Sequence, residues 1–185
     1  DIAFMQSGAG DAIYAVDEDN SGRPLVSLGD LFVEPVWFFY RTDAARRTTS
    51  SDTLDRLPQL VPLRLNIGAH GSGAANLVDK LFNANSIEPA QMKLQRLPPT
   101  PAVVALLGGE IDALAFVSAP ESALVRMLLQ TPGIGLLQFP QAGAYARRFP
   151  FLTRVTVPRG TIDLARDVPP ADVPLVAATA SLVAT

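Results

Sequence analysis

From Leu63 onward the chain alternates short apolar runs with helix-like segments, and this rhythm limits the fold more than any other feature. Leu63 to Ile67, Lys93 to Leu97, Ala113 to Val117 and Gly135 to Phe139 read as strands. Ala74 to Asn85, Pro101 to Gly108, Ala123 to Gln130 and Gly143 to Phe149 read as the helices between and after them. Further strands are expected near Thr153 to Val157 and Val173 to Ala177. Such alternation predicts an α/β fold: a parallel or mostly parallel sheet flanked by helices. Upstream, Leu31 to Arg41 is continuously apolar and aromatic around Val36 to Tyr40, as expected of a strand buried on both faces. Asp1 to Gln6 and Leu25 to Leu28 read as two further strands, and Ser51 to Leu57 as a short helix in a polar connection.

Composition excludes several function classes. Hydrophobic residues make up 48% of the 185 and charged residues 18%, which favours a packed core over disorder. The net charge of −3 argues against a protein that neutralises a phosphate backbone, so nucleic acid is not an expected partner. There is no cysteine, which removes disulfides, zinc thiolates and cysteine nucleophiles. No cluster of His, Asp and Glu stands at metal-ligand spacing, and neither a metal nor a cofactor is expected. The longest uncharged run, Met127 to Ala146, contains Pro132, Gly133, Gly135, Pro140 and Gly143, punctuation that suits helix and strand segments rather than one bilayer span. Apolar stretches at both ends lead to the expectation that the chain is a fragment of a longer protein.

The sharpest local pattern is Ile67-Gly-Ala-His-Gly-Ser-Gly73, between a strand and a helix. At such a junction the first helical N–H groups lack internal partners and the helix dipole favours negative charge, so His70, Gly71, Ser72, Gly73 and Ala74 are candidates for holding a small anion. Known nucleotide patterns fail here. Gly68 and Gly73 have phosphate-loop spacing, but Ala74 and Ala75 replace the Lys and the Ser or Thr. A dinucleotide fingerprint starting at Gly71 meets Asn76 at its third glycine position. A hydrolase elbow centred on Ser72 would have His70 and Ala74 at its small-residue positions. Equally compatible with the pattern is a plain turn in which Ser72 caps the helix.

Ser118 and Ala119, after the strand ending at Val117, stand at a second junction of this kind, where Ser118 could face the same crevice or simply cap the next helix. Gln6, Ser7 and Gly8 form the third, after the first strand. Tyr145 could face a ligand or anchor its own helix.

The chain resembles the TAXI family of extracytoplasmic solute receptors, which serve TRAP transporters and share the type II periplasmic-binding-protein fold. The resemblance rests on Asp1 to Gln6, Leu28-Gly-Asp-Leu-Phe-Val-Glu-Pro-Val-Trp37, Ile67 to Gly73, Gly109-Glu-Ile-Asp-Ala113, Phe116-Val-Ser-Ala-Pro120 and Gln141-Ala-Gly-Ala-Tyr145. Phe149 to Val155, Pro158-Arg-Gly160 and Ala177 to Val183 extend it to the C-terminus. The resemblance implies residues 60–151 as a complete second α/β lobe. It makes 31–59 a hinge-crossing strand with its connection and 152–170 the return crossing strand, with 1–30 and 171–185 remnants of the first lobe. It implies a small organic anion or amino acid, such as a dicarboxylate or glutamate, held by lobe closure without catalysis. The ligand would lie against His70, Gly71, Ser72, Gly73 and Ala74, with Ser118 and Ala119 nearby and Gln6, Ser7 and Gly8 facing from the other lobe. His70 departs from the proline or small residue common at that turn. The resemblance also implies a periplasmic or extracytoplasmic location, TRAP membrane subunits as partners and, in some relatives, a membrane anchor beyond the fragment.

Two other classes compete: an effector-sensing domain of a regulator, since the fold is reused for inducers, and an α/β enzyme using Ser72 or His70. Strand edges left without their other half are expected to pack against a second copy, as a homodimer of the fragment.

Overall fold

The computed structural model describes residues 2–6 and 26–184. Its frame is the 16-residue strand β2 (Val26–Arg41), which belongs to two groups of strands in turn. Over Val26 to Pro35 it pairs antiparallel with β8 (Val173–Ala184). Over Val36 to Tyr40 it pairs antiparallel with β5 (Ala113–Val117), and its last residues also pair with β6 (Ile134–Leu136). Strand β3 (Arg64–Asn66) lies parallel to β5 on one side and to β4 (Lys93–Gln95) on the other. The outer edge of β8 is taken successively by β7 (Leu152–Val157) and β1 (Ile2–Gln6). The result is an eight-stranded open sheet flanked by helices, the expected α/β class. Among the described residues, parallel pairing is confined to β4, β3 and β5, whose helical connections run from β3 to β4 and from β4 to β5. The long strands meet antiparallel.

Two sequence-level boundaries move. Gly29 and Asp30 look like a break between strands, yet β2 runs through them: β-bulges beside Gly29, at φ 144°, and between Asp30 and Phe32 absorb the irregularity. In the polar connection the helix is α1 (Thr42–Thr49), directly after β2, whereas Leu57–Leu60 forms one 3₁₀ turn whose Gln59 Oε1 accepts from the Asp55 and Arg56 N–H groups at 2.9 Å. The remaining helices are α2 (Gly73–Ala84), α3 (Pro99–Gly108), α4 (Ala123–Gln130) and α5 (Ala142–Arg148). No helix among the described residues is long and apolar enough to cross a membrane.

The core gathers on the second half of β2. Val36, Trp37, Phe38, Phe39 and Tyr40 are all buried, with Trp37 stacked on Phe39 and Phe39 on Phe116, each at 6.0 Å between ring centroids. Phe38 meets Phe139 on the opposite face at 5.8 Å. Tyr40 lies against Gly135 so closely that a Cβ there would come within 2.5 Å of its ring, which is why β6 has glycine at this place. The Tyr40 hydroxyl accepts from the Leu54 N–H at 2.9 Å and donates to the Asp52 carbonyl at 3.2 Å, tying the connection to the strand.

At the opposite end of the parallel strands, Asp112 is buried and accepts from Arg64 three times: from its backbone N–H at 3.0 Å, Nε at 2.9 Å and Nη2 at 2.7 Å. The Arg64 guanidinium holds the Asp112 carboxyl below the usual carboxylate range. Nearby, Arg41 and Arg47 both bond Asp43 and bring its pKa down to about 2.

Candidate functional site

The carboxyl ends of β3 and β5 open on a crevice of about 130 Å³ between the sheet, the start of α2 and the start of α3. Open α/β sheets bind ligands in this position. Sequence dictates the turn that forms one wall. Gly68, at φ 91°, and Gly71, at φ 74°, take backbone conformations that residues with a Cβ rarely adopt. A Cβ on Gly68 would also stand 3.1 Å from the Ser72 hydroxyl. Ser72 is the N-cap of α2: its Oγ accepts from the Ala75 N–H at 3.2 Å, and its own N–H donates to the Ala69 carbonyl at 3.1 Å. Capping by Ser72 leaves the Gly73 and Ala74 N–H groups as the unpaired start of the helix ladder, on the side where the dipole favours an anion.

The floor is held by Asn66, which sequence reading passed over. It is buried between Leu65 and Ile67, and its amide replaces a missing sheet pair: Oδ1 accepts from the Leu97 N–H at 2.6 Å while Nδ2 donates to the Leu97 carbonyl at 3.2 Å. The segment leaving β4 is thereby clamped against β3, and Leu97, Pro98 and Pro99 become the far wall. One signal was available, a lone amide inside an otherwise apolar strand, which burial obliges to find partners.

The fold separates the predicted residues. Ser72 and Ala74 line the crevice, and Gly73 begins the helix between them. His70 and Gly71 are exposed at the tip of the turn and do not border it. No hydrogen bond to His70 is found among the described residues. Ser118 and Ala119 are half-buried and follow Val117, the last lining residue of β5. Ser118 is anchored to β2, since its carbonyl accepts from Trp37 Nε1 at 2.8 Å and its N–H donates to the Pro35 carbonyl at 3.4 Å. It is not the cap of α4, which begins after Ser122. Gln6 ends β1 opposite Ala180, and Ser7 and Gly8 lie outside the described residues. Tyr145 anchors helices: its hydroxyl accepts from Asn85 Nδ2 at 2.7 Å and its ring meets Phe139 edge-on.

A larger hollow, about 320 Å³, lies elsewhere, beside Tyr40, Gly135 and Pro170. The one helix start in its walls, Thr42, spends its N–H on the Gly133 carbonyl at 2.9 Å, and the Tyr40 hydroxyl already donates and accepts within the protein. No group of three or more His, Cys, Asp or Glu able to hold a metal occurs among the described residues.

An open mixed sheet flanked by helices is the periplasmic-binding-protein-like architecture of type II. The chain belongs to the NMT1-like family, whose model matches residues 1–185. No curated protein matches it significantly. Among solved structures it is similar to a hydrogen-peroxide-bound OxyR mutant of Corynebacterium glutamicum, at 13% identity and a TM-score of 0.54, covering 99% of this chain and 42% of that one. The regulatory domain of CcmR from Synechocystis PCC6803, in complex with 2-PG, matches at 10% identity and 0.51, over 100% and 63% of the two chains. The effector binding domain of QuiR in complex with shikimate matches at 12% and 0.51, over 97% and 62%. The chain thus spans between 42% and 63% of the length of these three structures. At such identities the likeness is one of fold.

Proposed function

We propose that the chain is the ligand-binding part of an extracytoplasmic solute receptor of the TAXI type, which delivers a small organic anion or amino acid to TRAP membrane subunits and catalyses nothing. The observation that carries this reading is the crevice at the carboxyl ends of β3 and β5, with the Ser72-capped start of α2 as one wall. Binding there needs no cofactor: the helix start would take a carboxylate, and closure of a second lobe over it would exclude water. In this reading residues 60–151 are the complete lobe and β2 is the crossing strand.

The test is mass spectrometry of small molecules retained by the purified protein, followed by calorimetry with the compound found. Ser72→Ala should weaken binding at least about tenfold, while Ser72→Asp, which keeps a cap but places a negative charge where the carboxylate would sit, should abolish it. Absence of saturable binding by any small anion or amino acid overturns the reading.

A second reading, an effector-binding domain of a regulator, is favoured by the fact that the CcmR and QuiR domains in complex with small molecules share this fold. A DNA-binding helix-turn-helix encoded in the same gene would support it, and an export signal would support the receptor.

A further inference from the structure

The crevice has a chemical character that narrows its ligand. Apart from the turn and Ser72, its walls are apolar, with Leu97, Pro99, Ala102, Leu114, Phe116 and Val117 among them. The one amide present, Asn66, spends both ends on Leu97. Among the described residues no charged side chain borders the space: His70, next to Ala69, is exposed outside it, and Arg96, next to Leu97, pairs with Asp79 at 3.8 Å. A second carboxylate placed here would leave water and meet no cation, a loss that burial does not forgive. An aliphatic group would instead gain from leaving water, and about 130 Å³ has room for roughly four groups the size of a water molecule.

We infer that the crevice receives a short, uncharged aliphatic group, so that the ligand is an aliphatic monocarboxylate rather than a dicarboxylate or glutamate, with Ala74 and Leu97 setting the length accepted. This rests on the receptor reading above and sharpens it. Ala74 lines the crevice from the first turn of α2 and Leu97 from the segment clamped by Asn66. Both are only partly buried, so that either can change size without opening the core.

Calorimetric titration with acetate, propionate, butyrate, valerate and hexanoate, beside succinate and glutamate, tests the assignment. Affinity should rise about fourfold for each added methylene until the crevice is full, then level or fall. Butyrate should bind at least about tenfold more tightly than succinate, which has the same carbon count and a second charge. Ala74→Val should move the optimum to a shorter chain and Leu97→Ala to a longer one, with unchanged circular dichroism showing that both variants fold. Succinate or glutamate binding as tightly as butyrate, or an affinity indifferent to chain length, overturns the assignment while leaving the receptor reading standing. Failure of every carboxylate, single or double, to bind the wild-type protein overturns the anion-receptor reading itself and this assignment with it.

Discussion

Both halves of β2 carry large apolar side chains, interrupted in the first by Ser27, Gly29, Asp30 and Glu34, and they have opposite surroundings. Val36 to Tyr40 are between 0% and 2% exposed, whereas Leu28, Leu31, Phe32 and Val33 are between 41% and 56% exposed. Both halves are paired in the sheet, the first with β8 and the second with β5 and, at its end, also β6. Pairing governs the backbone, and the exposure of the side chains is set by what covers the two faces of the sheet. What the second half has is apolar packing on both faces, with Trp37 and Phe39 joined by the neighbouring Phe116 of β5 on one and Phe38 meeting Phe139 on the other, inside one buried cluster. Hydrophobic character states what a strand could bury, and only the neighbouring layers decide whether it does.

Three substitutions probe that contrast. The largest effect is expected from Trp37→Ala, which empties a fully buried ring site and removes the indole hydrogen bond to the Ser118 carbonyl. It should cost about 3–5 kcal/mol in urea unfolding. A cost near 1 kcal/mol would mean that the second half of β2 is no better supported than the first.

Asp112→Asn comes next, at about 2 kcal/mol near neutral pH, because the carboxylate accepts three hydrogen bonds from Arg64, two of them from its guanidinium, and an amide replaces one accepting oxygen by a donor. The Asp112 pKa is depressed in the folded chain, so its stabilisation is fully present above the ordinary carboxylate value of about 3.9 and fades as pH falls through the lower, folded value. Asp43, at about 2, adds to the same acid limb. The gap between wild type and Asp112→Asn should accordingly narrow as pH falls below about 4. A gap independent of pH would show that the pair with Arg64 contributes through shape alone.

The smallest effect is expected in the first half. Phe32→Thr keeps a strand-favouring residue at an exposed position and should change monomer stability by less than about 0.5 kcal/mol. Size-exclusion chromatography of the same variant adds a second readout. If the exposed strand face mediates pairing of copies, Phe32→Thr should shift the elution toward the monomer, and a wild type that elutes as a monomer removes that expectation.

Much of the second region was legible in advance. Helix α4 and strand β5 fall where their patterns place them, and α2 differs by one residue at either end. Ser72 as cap and Gly68 and Gly71 as turn residues follow from local chemistry, since a capping hydroxyl and a positive φ are properties of a few consecutive residues. The walls of the crevice are different. Leu97, Ala102 and Val117 stand far from Ser72 in sequence, and their meeting depends on which strands pair and on the Asn66 clamp. Ser118 illustrates the limit: its pattern fitted a helix cap, yet Trp37, 81 residues away, holds it to β2.

By itself the sequence determined the α/β class, the run of helices and strands from Leu63 onward, and a glycine-rich turn ending in a helix start. Each is set by local periodicity and by the backbone freedom of single residues. Tertiary structure alone decided that β2 runs unbroken through Gly29 and Asp30, that one half of it is core and the other surface, and that the crevice by Ser72 is lined without charge. The physical reason is the same in all three cases. Strand continuity, burial and the polarity of a cavity are properties of segments brought together from distant parts of the chain, and no local pattern contains the identity of the partner.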